Sequence, residues 1–158
     1  MANTQAMCTS FLGEVLTATH NFGTAPVRAS GAADTFKAAL YLTSATVNAS
    51  TTAYSLTDEV TGTNYTAGGV AVTNATAPAA TNASATAGTA YWTPSASITY
   101  TNVTLTTAFD TVLIYNSTQS DKSVSVHTFG SQTITAGTFT LTMPTNDTST
   151  ALLRLSTT

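Results

Sequence analysis

Charge is what this chain has least of. Lysine and arginine total 4 and aspartate and glutamate 7, so only 7% of the 158 residues are charged, where a globular domain ordinarily carries about 25%. Four cations cannot make a basic stripe, which argues against direct nucleic-acid binding through phosphate contacts. Few charges also leave little to hold copies apart in solution, so self-association or a permanent partner is expected. Cys8 is the single cysteine; no internal disulfide can form, and the fold must stand on packing. No run approaches the ~18 apolar residues of a membrane helix. The segment from Met1 to Gln5 has no basic region followed by an apolar run, so no secretory signal is expected.

What the chain does have is threonine, serine, asparagine and alanine. Threonine favours strands, because its branched Cβ packs on a pleated surface while its hydroxyl meets solvent or a neighbour. The clearest stretch runs from Phe109 to Pro144. There Thr111 to Tyr115, Ser123 to Phe129 and Thr138 to Met143 read as three consecutive antiparallel strands, separated by the polar loop 116–122 and by the turn pairs Gly130-Ser131 and Ala136-Gly137. Val112 to Tyr115 has no polar break and predicts a strand covered on both faces. Val124 and Val126 alternate with Ser123, Ser125 and His127, which predicts cover on one face only. Pro144, lacking a backbone donor, is placed at the end of the ladder.

Upstream, Thr35 to Leu42 reads as a strand with Phe36, Leu40 and Leu42 on one face and Tyr41 on the other; helix is the rival reading, since Lys37-Ala38-Ala39-Leu40 has high helix propensity. Gly68-Gly69 predicts positive φ or a bulge entering a strand. A change of phase at Asn102 predicts a β-bulge between Ile98 and Leu105, and 151–155 forms a last strand. Asn74 to Thr89 is low in complexity and reads as an exposed loop or arm. Cys8, Phe11, Leu12, Val15 and Leu16 fall on one stripe of a short amphipathic helix, which Thr4 would cap and Asn21-Phe22-Gly23 with Pro26 would end. With about seven or eight strands, the prediction is a single antiparallel all-β sandwich, jelly-roll or immunoglobulin-like, over 34–158, preceded by an arm over 1–33 that carries the helix.

Chemistry is harder to place. Cys8 with His20 or His127 would suggest a thiol and a base, but no local signature surrounds the cysteine and the apolar stripe already accounts for it. Three such residues, widely spaced, do not make a zinc site, and no metal or cofactor is expected. Asp58-Glu59 reads as a solvated loop, not a calcium loop. A hydrolase would need two of Glu14, Asp34, Asp58, Glu59, Asp110, Asp121 and Asp147 to converge, and nothing in their spacing singles out a pair.

Three stretches carry a resemblance: Asn3 to Phe11, Asp34 to Leu42, and Tyr91-Trp92-Thr93-Pro94-Ser95 leading to Ala108-Phe109-Asp110. Together they resemble small virion structural proteins of tailed bacteriophages. The resemblance implies a non-enzymatic component on the outer capsid surface, a decoration or cement protein that forms oligomers, trimers among them, and clamps neighbouring major capsid subunits. A tail, fibre or head-appendage part is the alternative within the virion. A carbohydrate-binding module stacking sugars on Tyr91, Trp92 and Tyr100 is the alternative outside it. The interface candidates are Met7, Phe11, Tyr91 and Trp92, since Tyr and Trp concentrate binding energy at interfaces.

Overall fold

Two long β-branched runs on either side of the polar loop 117–121 dictate the architecture. The computed structural model describes residues 3–16, 18–22, 33–81 and 88–156. In chain order the elements are β1 (Ala6–Met7), α1 (Thr9–Leu16), β2 (Phe36–Leu42), β3 (Val70–Val72), β4 (Ala79–Ala80), β5 (Thr89–Trp92), β6 (Ile98–Asn116), β7 (Lys122–Leu141) and β8 (Leu153–Ser156). One sheet has the order β1-β7-β6-β2-β3 and the other β4-β5-β8. All pairings are antiparallel, so the chain is an all-β sandwich with one short N-terminal helix.

The three strands expected between Thr111 and Met143 are parts of only two. β6 and β7 form one hairpin of 19 and 20 residues, and Gly130-Ser131 and Ala136-Gly137 lie inside β7. The register explains why they do not turn the chain. Between Thr111↔Thr128 and Phe109↔Gln132, two residues of β6 face four of β7; between Leu105↔Ile134 and Val103↔Gly137, two face three. Extra residues bulged out of a ladder accept glycine or a left-handed residue while the strand continues, and Ala136 has φ 46°. The bulge expected at Asn102 is present, with φ 52° inside the slip between Tyr100 and Val103. The ladder ends at Leu141, short of Met143 and Pro144.

β2 is a strand, as read, and sits between β6 and β3. Phe36, Ala38, Ala39 and Leu40 are all fully buried; pairing on both edges overrides the helix propensity of the alanines. Val112 to Tyr115 is buried throughout, as its unbroken apolar pattern implied. Ser123 and Ser125 correct the one-sided reading of β7, since they are as buried as Val124 and Val126. Val124 is an extra residue against β6, where Ile114↔Ser125 steps to Tyr115↔Ser123, so the alternation breaks there. β1 then pairs with β7 at Ala6↔Val126 and Met7↔Ser125, and the Cys8 amide donates to the Val124 carbonyl at 3.1 Å.

The N-terminal segment is thus built into the larger sheet. Asn3 fastens it, donating from Nδ2 to the Leu42 carbonyl (3.1 Å) and to Asp110 Oδ1 (2.8 Å) and accepting from the Val47 amide (3.0 Å). Thr4 does not cap the helix; its amide is bonded to the Val47 carbonyl, and the helix begins only at Thr9. Cys8 and Phe11 of the predicted stripe are in the core, while the side chains of Leu12 and Leu16 lie outside the described set, as do Gly23 and Pro26. The helix stops earlier than expected. Ala18 has φ 53°, its amide bonds the Val15 carbonyl (3.1 Å) and the Thr19 amide bonds the Glu14 carbonyl (2.9 Å). That is a Schellman ending with alanine where glycine is usual.

Candidate functional site

The two sheets meet through aromatic rings. Trp92 pairs with Leu153 and Ala90 with Leu155 across β5 and β8, which puts all four on one face of the small sheet. Trp92 is buried, lies 4.6 Å from the Phe22 ring, and donates from Nε1 to the Thr76 carbonyl at 3.0 Å. Phe22 in turn stacks on Phe36 of β2 at 4.4 Å and meets Phe11 of α1 edge-on at 5.8 Å. Beside these rings an apolar pocket of about 160 Å³ opens between α1 and the small sheet, lined by Phe11, Val15, His20, Phe22, Tyr91, Trp92, Leu153 and Leu155 among others. Leu155, 39% exposed, is one of two large apolar side chains left open among the described residues.

Three of the four interface candidates, Phe11, Tyr91 and Trp92, come together on this pocket, and Met7 is separate, beside His127 and Leu152. Phe11 and Trp92 are core residues within this chain, whereas Met7 and Tyr91 are half-buried. Sequence reasoning missed Phe22, taken as a helix stop, and Leu155. The alternation of Leu153 and Leu155 around Arg154 was the available signal for an apolar face. Tyr100, proposed with Tyr91 and Trp92 as a sugar platform, is 1% exposed and donates to the Ala38 carbonyl at 2.7 Å.

Two buried polar networks hold three of the seven acids, Glu59 in one and Glu14 and Asp34 in the other. In the first, Glu59 accepts from Tyr54 Oη (2.6 Å), Tyr65 Oη (2.7 Å) and the Gly68 amide (2.8 Å). It is only 6% exposed, which corrects the solvated-loop reading for Glu59, while Asp58 beside it is exposed as read. Tyr115 donates to the Gly68 carbonyl (2.8 Å) and Tyr41 to the Ser55 carbonyl (2.6 Å). Burial pushes the Tyr41 phenol up to about 12 and drives those of Tyr54, Tyr65, Tyr100 and Tyr115 well above their usual range. All five therefore remain protonated donors. Gly69 closes the loop with φ 70°; a Cβ there would lie 1.7 Å from the Ala38 carbonyl oxygen, so only glycine fits.

In the second network Lys122 Nζ reaches Glu14 Oε1 (2.7 Å), His20 Nε2 meets Glu14 Oε2 (2.7 Å), and Asn116 Nδ2 contacts both His20 Nδ1 (3.1 Å) and Asp34 Oδ2 (2.8 Å). Asp34 also accepts from the Asn21 amide (2.8 Å) and Gln119 Nε2 (3.1 Å). Desolvation opposes the charge on Glu14, but its bonds to Lys122 and His20 outweigh it and hold the carboxyl below its usual range. Burial lowers His20 and takes His127 down to about 4. It also pushes the Cys8 thiol up to about 11, so no thiolate forms near neutrality. Both ring nitrogens of His20 are engaged by Glu14 and Asn116, leaving neither to activate a thiol.

Among the described residues, no three of His, Cys, Asp and Glu gather as a metal site, and no helix is long and apolar enough to cross a membrane. No family model, no curated protein and no solved structure matches this chain.

Proposed function

We propose that the protein is a non-enzymatic structural component of a bacteriophage virion, a capsid decoration protein that joins copies of itself and neighbouring capsid subunits. The observation that carries this reading is how the acids are used. Glu14, Asp34, Glu59, Asp110 and Asp147 each accept hydrogen bonds that fasten a loop, a turn or the N-terminal segment. A general acid or base has to present its oxygens to a substrate. The outer face of the hairpin offers uncharged threonines instead, among them Thr99, Thr101, Thr138 and Thr140, all exposed. Such a surface suits burial under neighbours, and the resemblance of the Asn3, Asp34 and Tyr91 stretches to small virion proteins points the same way. A stable contact of this kind buries more than ~1,200 Å² in total.

The test is a density map of intact particles together with a heat-release assay on particles assembled with and without the protein. Density for the chain at repeated symmetric positions on the shell, and genome release at a lower temperature in its absence, are expected. Particles that lack the protein would overturn the reading; density confined to the tail would replace decoration by a tail role.

A further inference from the structure

We propose that His20 is a proton-sensitive latch that holds helix α1 against the turn of the β6–β7 hairpin and lets go on mild acidification.

Asn116 decides the matter. Its Oδ1 accepts from the Thr118 amide (3.1 Å) and the Gln119 amide (3.2 Å), which fixes which way the side-chain amide faces. Nδ2 must then point at Asp34 Oδ2 and His20 Nδ1. A nitrogen that faces an N–H donor has to carry the lone pair, so Nδ1 is bare and the ring proton sits on Nε2, donated to Glu14. The side chain of His20 is fully buried, with the rings of Phe11 at 4.9 Å and Phe36 at 6.3 Å.

A second proton can go only on Nδ1, where it would oppose the Asn116 N–H. Turning the Asn116 amide to receive it would break the bonds from Thr118 and Gln119 that shape the turn. Asp34 Oδ2 is already bonded to the Asn21 amide and to Asn116. Among the described residues, the charged groups around the ring are Glu14 of α1, Asp34 at the entry to β2 and Lys122 of β7. Burial opposes the cation, Glu14 and Asp34 favour it, and Lys122 opposes it; the balance is against it. A His whose folded pKa is depressed stabilises while neutral: its contribution is complete above the unfolded value near 6.5 and falls away as pH drops below it. Glu14, held below its usual range, loses its contribution only at lower pH, so the interval from 7.5 to 5.0 belongs to the histidines.

The chain has two histidines, which makes the test clean. Hydrogen exchange on the whole protein, corrected for intrinsic rates, should show protection of 9–16 and 116–122 falling by up to about 30-fold between pH 7.5 and 5.0. His127→Gln should leave this fall in place. His20→Gln, which can accept from Asn116 and donate to Glu14 without titrating, should abolish it. A wild-type profile that is flat, or the same fall in His20→Gln, overturns the proposal. Should His20→Gln not fold, imidazole 15N shifts of the wild type decide. Neutral His20 with its proton on Nε2 at pH 6.0 sustains the latch, whereas an Nδ1 proton, or ordinary titration near 6.5, overturns it.

Discussion

The Glu59 cage and the Glu14–His20 network solve one problem in two ways. Each ties a carboxylate into a buried set of hydrogen bonds and thereby pins a segment to the larger sheet: the loop of 54–69 in one case, α1 in the other. They differ in their donors. The cage uses two phenols and a backbone amide, and burial only drives phenols further from ionisation. The network uses an imidazole, whose ordinary pKa lies within a unit of neutrality. The difference teaches that the pH response of a buried acid is set by what donates to it.

Substitutions can break or sharpen this contrast. The largest effect is expected from Gly69→Ala, which places a Cβ against the Ala38 carbonyl in a left-handed residue; a loss of about 3 kcal/mol or more is expected by denaturant unfolding. Next is Glu59→Gln. It turns an amide donor toward a phenol or the Gly68 amide, and chemical denaturation should show a loss of about 2–3 kcal/mol. The smallest is Lys122→Met, because the lysine side chain is 40% exposed. Solvent screening limits its pair with Glu14 to about 0–1 kcal/mol, and the difference between variant and wild type should shrink further as salt is added. A Lys122→Met loss as large as that of Glu59→Gln would show that the two networks are equally desolvated and remove the contrast.

Much of the larger sheet could be read from the chain, because its cues are local. Phe36 and Leu40 alternate with Tyr41, Val112 to Tyr115 is unbroken, Asn102 interrupts a phase, and Gly68-Gly69 announces positive φ. The misreadings share a cause: the deciding partner is distant in sequence. Gly130 and Ala136 look like turn residues until β6 runs alongside and makes them bulges. Glu59 looks solvated until Tyr54, Tyr65 and Gly68 close over it. His20 reads only as half of an unsupported thiol–base pair until Asn116, 96 positions away, dictates its tautomer. Of the pocket, the chain offered Phe11, Tyr91 and Trp92 as separate apolar residues, with no cue that they share a wall.

The position of β2 has a consequence for how the protein is made. On the ribosome, β2 can pair at first only with β3, and its other edge must wait for β6, the last-made of its two neighbours. β1, translated before either, has no strand to join until Val126 has emerged. Between the emergence of β2 and that of β6 the nascent chain therefore displays Phe36 and Leu40 on an open template, a state in which a second growing chain or a chaperone competes directly with the hairpin still inside the tunnel.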